Sequence, residues 1–188
     1  LITAPGDLHP ELWVGVNALG YEPPDVVDLF AGVRFQGIWR DNGGIEFRRL
    51  PHLPGVRGPV WREPFVDRMN AARGRRPELL YFGGEAFKGR PHVQTVDLAS
   101  LGREAQWHMD VVTTSGPATG VSADPARVAE LARGVQAPAA VGLASGVTPE
   151  NVHLYLPTVH AFLVASGIEA RDGVLDPARV RALADAIE

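Results

Sequence analysis

Cysteine is absent from this chain, which excludes disulfides, thiolate nucleophiles and cysteine-based metal sites at once. Net charge is scarce too, -4 over 188 residues, so no overall field draws the chain to nucleic acid or an anionic membrane; any anion site must be built locally. No apolar run approaches the roughly 20 residues of a membrane helix, and no basic segment followed by an apolar one opens the sequence. The six histidines, His9, His52, His92, His108, His153 and His160, lack the spacing of a helical metal pair, so neither a metal centre nor a cofactor is expected. Around Lys88, the glycines Gly83, Gly84 and Gly89 lack phosphate-loop spacing and no hydroxyl residue follows the lysine, which argues against a nucleoside triphosphate. What remains is a chain without membrane insertion, expected in the cytoplasm, whose partner is a small molecule.

Glycine and proline, by contrast, are plentiful at 21 and 16 residues, and they punctuate a regular alternation. With 45% hydrophobic residues the chain can bury one substantial core, and its length fits one domain better than two. Six segments have the composition of buried strands: 13–19, 35–39, 79–82, 110–114, 139–144 and 161–165. Helical patterns occupy 25–33, 63–73, 98–107, 125–133, 149–156 and 177–187. Three of these open on a capping side chain followed by proline: Asp124-Pro125, Thr148-Pro149 and Asp176-Pro177. The pentapeptide Asp-Pro-Ala-Arg-Val occurs at 124–128 and again at 176–180, leaving room for two βα units between.

This alternation predicts an α/β protein with an all-parallel sheet under helical cover. Six strands are few for a (β/α)8 barrel and sufficient for a doubly wound sheet, whereas the repeated ligand-type loops described next argue for the barrel. Between Arg48 and Pro59, the residues Pro51, Pro54, Gly55 and Gly58 break any periodicity; the stretch reads as a long loop over one end of the sheet. Trp13, Trp39, Trp61 and Trp107 are expected to pack between sheet and helices, and their separation gives no stacking platform for bases. No nucleic-acid partner is therefore expected.

Three strand-like runs end in Ser-Gly: Thr114-Ser115-Gly116, Ala144-Ser145-Gly146 and Ala165-Ser166-Gly167. Small residues at repeated strand ends allow close backbone approach and leave N–H groups for an anion such as phosphate. After the second, Thr148 is placed to cap a helix whose first amides would point back at the loop, with the positive end of the dipole at the carboxyl edge of the sheet. The third, Ser166-Gly167-Ile168-Glu169, ends at the same edge. Together the last two can hold one phosphate.

The run Gly142–Val152, then Ala161–Glu169 and Asp176–Val180, resembles the last two units of phosphate-binding (β/α)8 barrels. Pro149-Glu150-Asn151-Val152 and Ser166-Gly167-Ile168-Glu169 are similar to stretches of phosphoribosylanthranilate isomerases. The wider pattern resembles the BtpA family of TIM-barrel proteins. It includes Gly15-Val16-Asn17, Asp41-Asn42-Gly43-Gly44-Ile45, Lys88, and the run from Thr113 to Gly120. The resemblance implies a (β/α)8 TIM-barrel fold in which 13–19 is the third strand and residues 1–10 close the preceding unit. On this expectation residues 1–188 form a single barrel domain, N-terminally incomplete, lacking the first two βα units.

The isomerase resemblance also implies a cysteine general base and an aspartate general acid. The first is absent, and Thr113 or Thr114 stands where the second is expected; threonine cannot act as a carboxylic acid. Asn17, Asp41, Asn42, Glu85, Lys88 and Thr114 all fall at carboxyl ends of candidate strands, where barrel enzymes place their chemistry. Singly, each reads equally as a solvated loop residue. Asp41 and Lys88 are the candidate catalytic residues: Asp41, or alternatively Glu85, as general acid or base, and Lys88 to neutralise an anionic intermediate. Ser145, Gly146, Ser166 and Gly167 are the candidate phosphate grip, with Ser115, Gly116, Thr119 and Gly120 lining the adjacent wall. The expected function is binding or conversion of a phosphorylated, phosphoribosyl-type metabolite without a metal, as an isomerase, transferase or lyase. The alternatives are a phosphoribosylanthranilate isomerase-type enzyme, or a non-enzymatic assembly factor of the kind the BtpA family's link to photosystem I biogenesis implies. A homo-oligomer is compatible with either.

Overall fold

The six apolar segments form one parallel sheet in the computed structural model, which describes residues 12–17, 20–49, 57–88 and 97–188. In chain order the strands are β1 (Gly15–Asn17), β2 (Gly37–Arg40), β3 (Ile45–Arg49), β4 (Arg57–Trp61), β5 (Leu80–Gly84), β6 (Val111–Ser115), β7 (Ala140–Ala144), β8 (Ala161–Leu163), β9 (Glu169–Arg171) and β10 (Val174–Leu175). The helices are α1 (Pro23–Leu29), α2 (Glu63–Arg75), α3 (Leu98–Ala105), α4 (Pro125–Ala132) and α5 (Pro177–Ile187).

The large sheet runs β1-β2-β5-β6-β7-β8, every neighbour parallel, with each new strand added on the same flank. A doubly wound sheet reverses direction at a switch point; this one never does, which is the order of a barrel. Among the described residues the sheet has six strands rather than eight, and β1 and β8 are each paired on one side only. The product is a curled half-barrel, with β3/β4 and β9/β10 as separate antiparallel pairs.

One face of the arc carries the helices. Ile38, Tyr81 and Val112 point outward into a core shared with Val26 and Val27 of α1, Phe65 and Met69 of α2, and Leu98 and Leu101 of α3. Further along, Val141 and Leu143 of β7 pack with Val128 of α4, Leu183 of α5 and Tyr155. Each fully buried aliphatic side chain of this kind contributes roughly 1.5–3 kcal/mol. Two of the three capping signals act as expected: the Asp124 carboxylate accepts from Ala126 N–H, and that of Asp176 from Ala178 and Arg179 N–H. At α3, Asp97 caps in the same way, accepting from Ala99 and Ser100 N–H.

Three expectations are corrected. The segment 149–156 is no α-helix: only Val152–Leu154 forms a 3-10 turn. Asn151 takes over the capping position, its Oδ1 accepting from Thr148 N–H at 2.8 Å while its amide donates to Gly146 O at 2.8 Å; a side chain that serves local backbone competes with helix propagation. The stretch 48–59 is not one long loop, because Arg48 and Arg49 end β3, and Arg57, Gly58 and Pro59 begin β4. Residues 50–56 and 1–10, with the readings made for them, lie outside the described residues, as do His9, His52, His92 and Gly89. Of the tryptophans, only Trp61 packs against the helix-side core. Trp13 and Trp39 lie on the inner face of the arc, and Trp107 is exposed.

Helices α3 and α4 approach through glycine. A methyl group at Gly134 would lie 1.8 Å from the Ala99 carbonyl oxygen, whereas one at Gly74, within α2, would meet nothing within 4 Å. Gly134→Ala is therefore expected to destabilise by about 1–3 kcal/mol through forced separation of the two helices. Gly74→Ala should stabilise by about 0.8–1 kcal/mol from helix propensity alone. Urea unfolding of the two variants reads both signs in one experiment.

Candidate functional site

Because all six sheet strands run the same way, their carboxyl ends and following loops lie along one edge. There the inner face encloses an open cavity of about 890 Å3 that touches both β1 and β8. Its floor is apolar. The Trp13 ring covers Gly15 and Gly37, where a methyl group at Gly37 would lie 2.2 Å from it, and meets Phe82 edge-on at 5.6 Å. Trp39 and Phe87 pack beside them at 5.4 Å. Aromatic bulk over glycine fills the space that an eight-stranded barrel fills with layered side chains.

Of the fourteen residues singled out above, Asn17, Asp41, Lys88, Thr119, Ser145 and Ser166 line this cavity. Lys88 is fixed twice: its N–H donates to Ser115 Oγ and its ammonium to Thr119 Oγ1, both at 3.0 Å, while the charge sits 5.8 Å from the Phe87 ring. Ser145 Oγ accepts from Gly120 N–H at 3.1 Å and donates to Ala118 O at 3.3 Å. Ser166 Oγ lies on the other side of Gly120, 3.5 Å from where a methyl group there would stand. Hydroxyls from the loops after β6, β7 and β8 thus meet around one glycine.

The others have structural partners. Asn42 Oδ1 accepts from Gly44 N–H and shapes its own turn. Thr114 is buried and donates to Ala86 O; Thr113, also buried, donates to Val111 O. Ser115 donates to Gly116 O. Glu85 is 1% exposed, and its Oε1 lies 2.4 Å from where a methyl group on Gly43 would stand, away from the cavity lining.

The glycines of the Ser-Gly turns admit the protein's own backbone. Methyl groups at Gly116 and Gly146 would lie 1.9 and 2.2 Å from the Val121 carbonyl oxygen, and one at Gly167 would lie 1.8 Å from that of Val147. The three loops are stacked in direct backbone contact. Ser145 and Gly146 both have positive φ, 74° and 73°, so a non-glycine residue holds the left-handed conformation at the centre of the site, the kind of strain that collects at ligand sites. Among the described residues, no protein acceptor takes the amide of Gly146. With no α-helix after β7, any attraction for an anion here comes from loop amides and hydroxyls rather than from a helix terminus.

Two residues of the site were not foreseen. Asn151 bonds Thr148, Gly146 and Ser122. Arg179 joins Glu150 through two 3.0 Å bonds and donates from Nε to Gly167 O at 2.8 Å. Glu150 and Asn151 stood in the quoted motif and Arg179 in the repeated pentapeptide, so the signal was present but its use was not. Among the described residues no cluster of three or more histidine, aspartate or glutamate side chains is placed to hold a metal ion, and no helix is long and apolar enough to cross a membrane.

Comparison with known proteins agrees with this architecture. No family model matches the chain. N-(5'-phosphoribosyl)anthranilate isomerase of Pyrobaculum islandicum is 47% identical over 49 residues, a match spanning 25% of this chain and 23% of that protein. Among solved structures, phosphoribosylanthranilate isomerase from Thermus thermophilus aligns over 92% of this chain and 70% of its own, with a TM-score of 0.55 and 21% identity. The enzyme from Thermotoga maritima aligns over 96% of this chain and 75% of its own, with a TM-score of 0.63 and 16% identity. At these identities the two structures establish the fold: a curled parallel α/β sheet of the TIM-barrel type, here with six strands.

The Thr148 hydroxyl and then the Arg179 guanidinium beside it hold the Glu150 carboxyl down to about 2, against an ordinary 4.5. Since the folded value lies below the unfolded one, the contribution of Glu150 to stability is complete above about pH 4.5 and is lost as pH falls through about 2. A carboxyl-detected NMR titration should place its midpoint near the lower value, and Glu150→Gln should flatten the acid limb of the unfolding curve over that window.

Proposed function

We propose that the chain, acting as one barrel-type domain of the BtpA-like group, binds a phosphorylated small metabolite of the phosphoribosyl type in the inner cavity. The phosphate sits between the Ser145-Gly146 and Ser166-Gly167 loops, and the rest of the ligand extends across the aromatic floor. The observation that carries this reading is the convergence of Ser145, Ser166, Thr119 and Lys88, from four separate strand ends, on one cavity. In this reading the hydroxyls and the lysine hold the anion at the mouth of a mostly apolar cleft. Asp41 and Lys88, both in the cavity lining, supply acid–base catalysis.

The match to the Pyrobaculum enzyme supports a sugar-isomerase type of reaction. The general acid must differ from the one the isomerase resemblance implies, because Thr113 and Thr114, which stand at its position, bond to the backbone. A second reading, the assembly factor, is favoured by exposed apolar groups on the inner face, Trp13 at 48% and Leu80 at 41%. Retention of a protein partner after the Ser145→Ala/Ser166→Ala double substitution would favour that reading over the enzyme.

Titration with inorganic phosphate and with ribose 5-phosphate tests the main reading. Both should bind, the sugar phosphate more tightly, and Ser145→Ala/Ser166→Ala should weaken both by at least about tenfold, since hydrogen bonds to a charged group are worth roughly 1.5–3 kcal/mol. Unchanged affinity in a folded double variant rejects the site. Asp41→Asn should remove turnover of a phosphoribosyl substrate while leaving phosphate binding within about threefold, in line with a group that acts on the reacting end, whereas Lys88→Met should weaken phosphate binding as well as turnover.

A further inference from the structure

We propose that Arg179, with Glu150 and Asn151, is a positioning clamp that holds the Ser145-Gly146 and Ser166-Gly167 loops at the separation a bound phosphate requires. The proposal deepens the phosphate reading above and rests on it for its ligand.

Arg179 occupies the first turn of α5, after the capping Asp176. A cation there faces the positive end of the helix dipole, so helix stability gives no reason for it. Its three donors are directed outward instead. Nη1 and Nη2 meet the two oxygens of Glu150 at 3.0 Å each, and Nε meets Gly167 O at 2.8 Å. An isolated exposed ion pair contributes little, but this one is bidentate, and its third bond falls on the backbone of a candidate ligand loop. Only arginine offers that fork; lysine has a single nitrogen.

From Glu150 the connection continues along the chain. Asn151 accepts from Thr148 N–H and donates to Gly146 O and Ser122 Oγ. Gly167 in turn is stacked on Val147, with no room for a methyl group between them. A shift of Gly167 therefore displaces Val147, and a shift of Gly146 strains Asn151. The guanidinium thus ties the loops after β7 and β8 to one helix, while Ser145 and Ser166 of those loops line the cavity.

Three variants test this: Arg179→Met, Arg179→Lys, and the exchanged pair Glu150→Arg/Arg179→Glu. The readouts are backbone 15N order parameters of Gly146 and Gly167 in the ligand-free protein, affinity for inorganic phosphate, and thermal unfolding. In Arg179→Met both glycines should drop from the rigid range near about 0.85 toward about 0.6, and phosphate affinity should fall roughly tenfold, as expected when supporting contacts are lost. Arg179→Lys, which keeps the charge and guards against a misfolded methionine variant, should behave the same way. The exchanged pair should recover thermal stability but not affinity, because glutamate cannot donate to the Gly167 carbonyl. Unchanged order parameters in Arg179→Met and Arg179→Lys, or full recovery of affinity in the exchanged pair, overturn the clamp and reduce the contact to a simple tether. If the native protein binds no phosphate while Arg179→Met still loosens both glycines, the clamp stands as a loop-holding device and the phosphate reading falls.

Discussion

A parallel strand can be reached from its predecessor only by a crossover that leaves the sheet and returns. In this chain every crossover adds the next strand on the same flank, β1 to β2 to β5 to β6 to β7 to β8. Connections of one hand on one flank place all the helices on one face. The opposite face then has no layer to cover it and must turn in on itself, which is the curl. Position follows from that curl: strand ends that would be spread along a flat sheet are brought around a common space, so loops far apart in sequence share one cavity. The apolar floor at Trp13, Trp39 and Phe82 and the hydroxyls above it are both consequences of this arrangement.

Much of the framework was legible because it depends on local chemistry. All six strands were readable as short apolar runs, and Asp124-Pro125 and Asp176-Pro177 mark real helix starts. Thr148-Pro149 carries the same type of signal and fails, because Asn151, three residues on, offers the backbone a better partner than the next helical turn does. The β3/β4 hairpin was obscured for a different reason. Its second strand contains Gly58 and Pro59, residues that normally mark breaks, yet Pro59 sits opposite Phe47 in an unbroken register. In a two-stranded pair every strand is an edge, and an edge tolerates proline.

The site was readable in composition but not in assignment of roles. Ser-Gly at three strand ends suggested glycine for close approach, and close approach is what the structure has, except that the approaching group is backbone of the same loop at Gly116 and of the preceding loop at Gly146 and Gly167. The serines, not the glycines, face the cavity at Ser145 and Ser166. No pattern in one dimension separates those two uses. Arg179 was harder still, since its partners Glu150 and Gly167 lie 29 and 12 residues away, and only its unfavourable place in a first helical turn sets it apart.

Among the described residues the arc ends on Gly15–Asn17 and Ala161–Leu163, each paired on one side only. An unpaired strand edge is a template on which a further strand can pair. The curl brings residues of both strands to the lining of one cavity. The two open ladders therefore border the same space as the candidate ligand, and a strand added to either of them would also become a wall of the site.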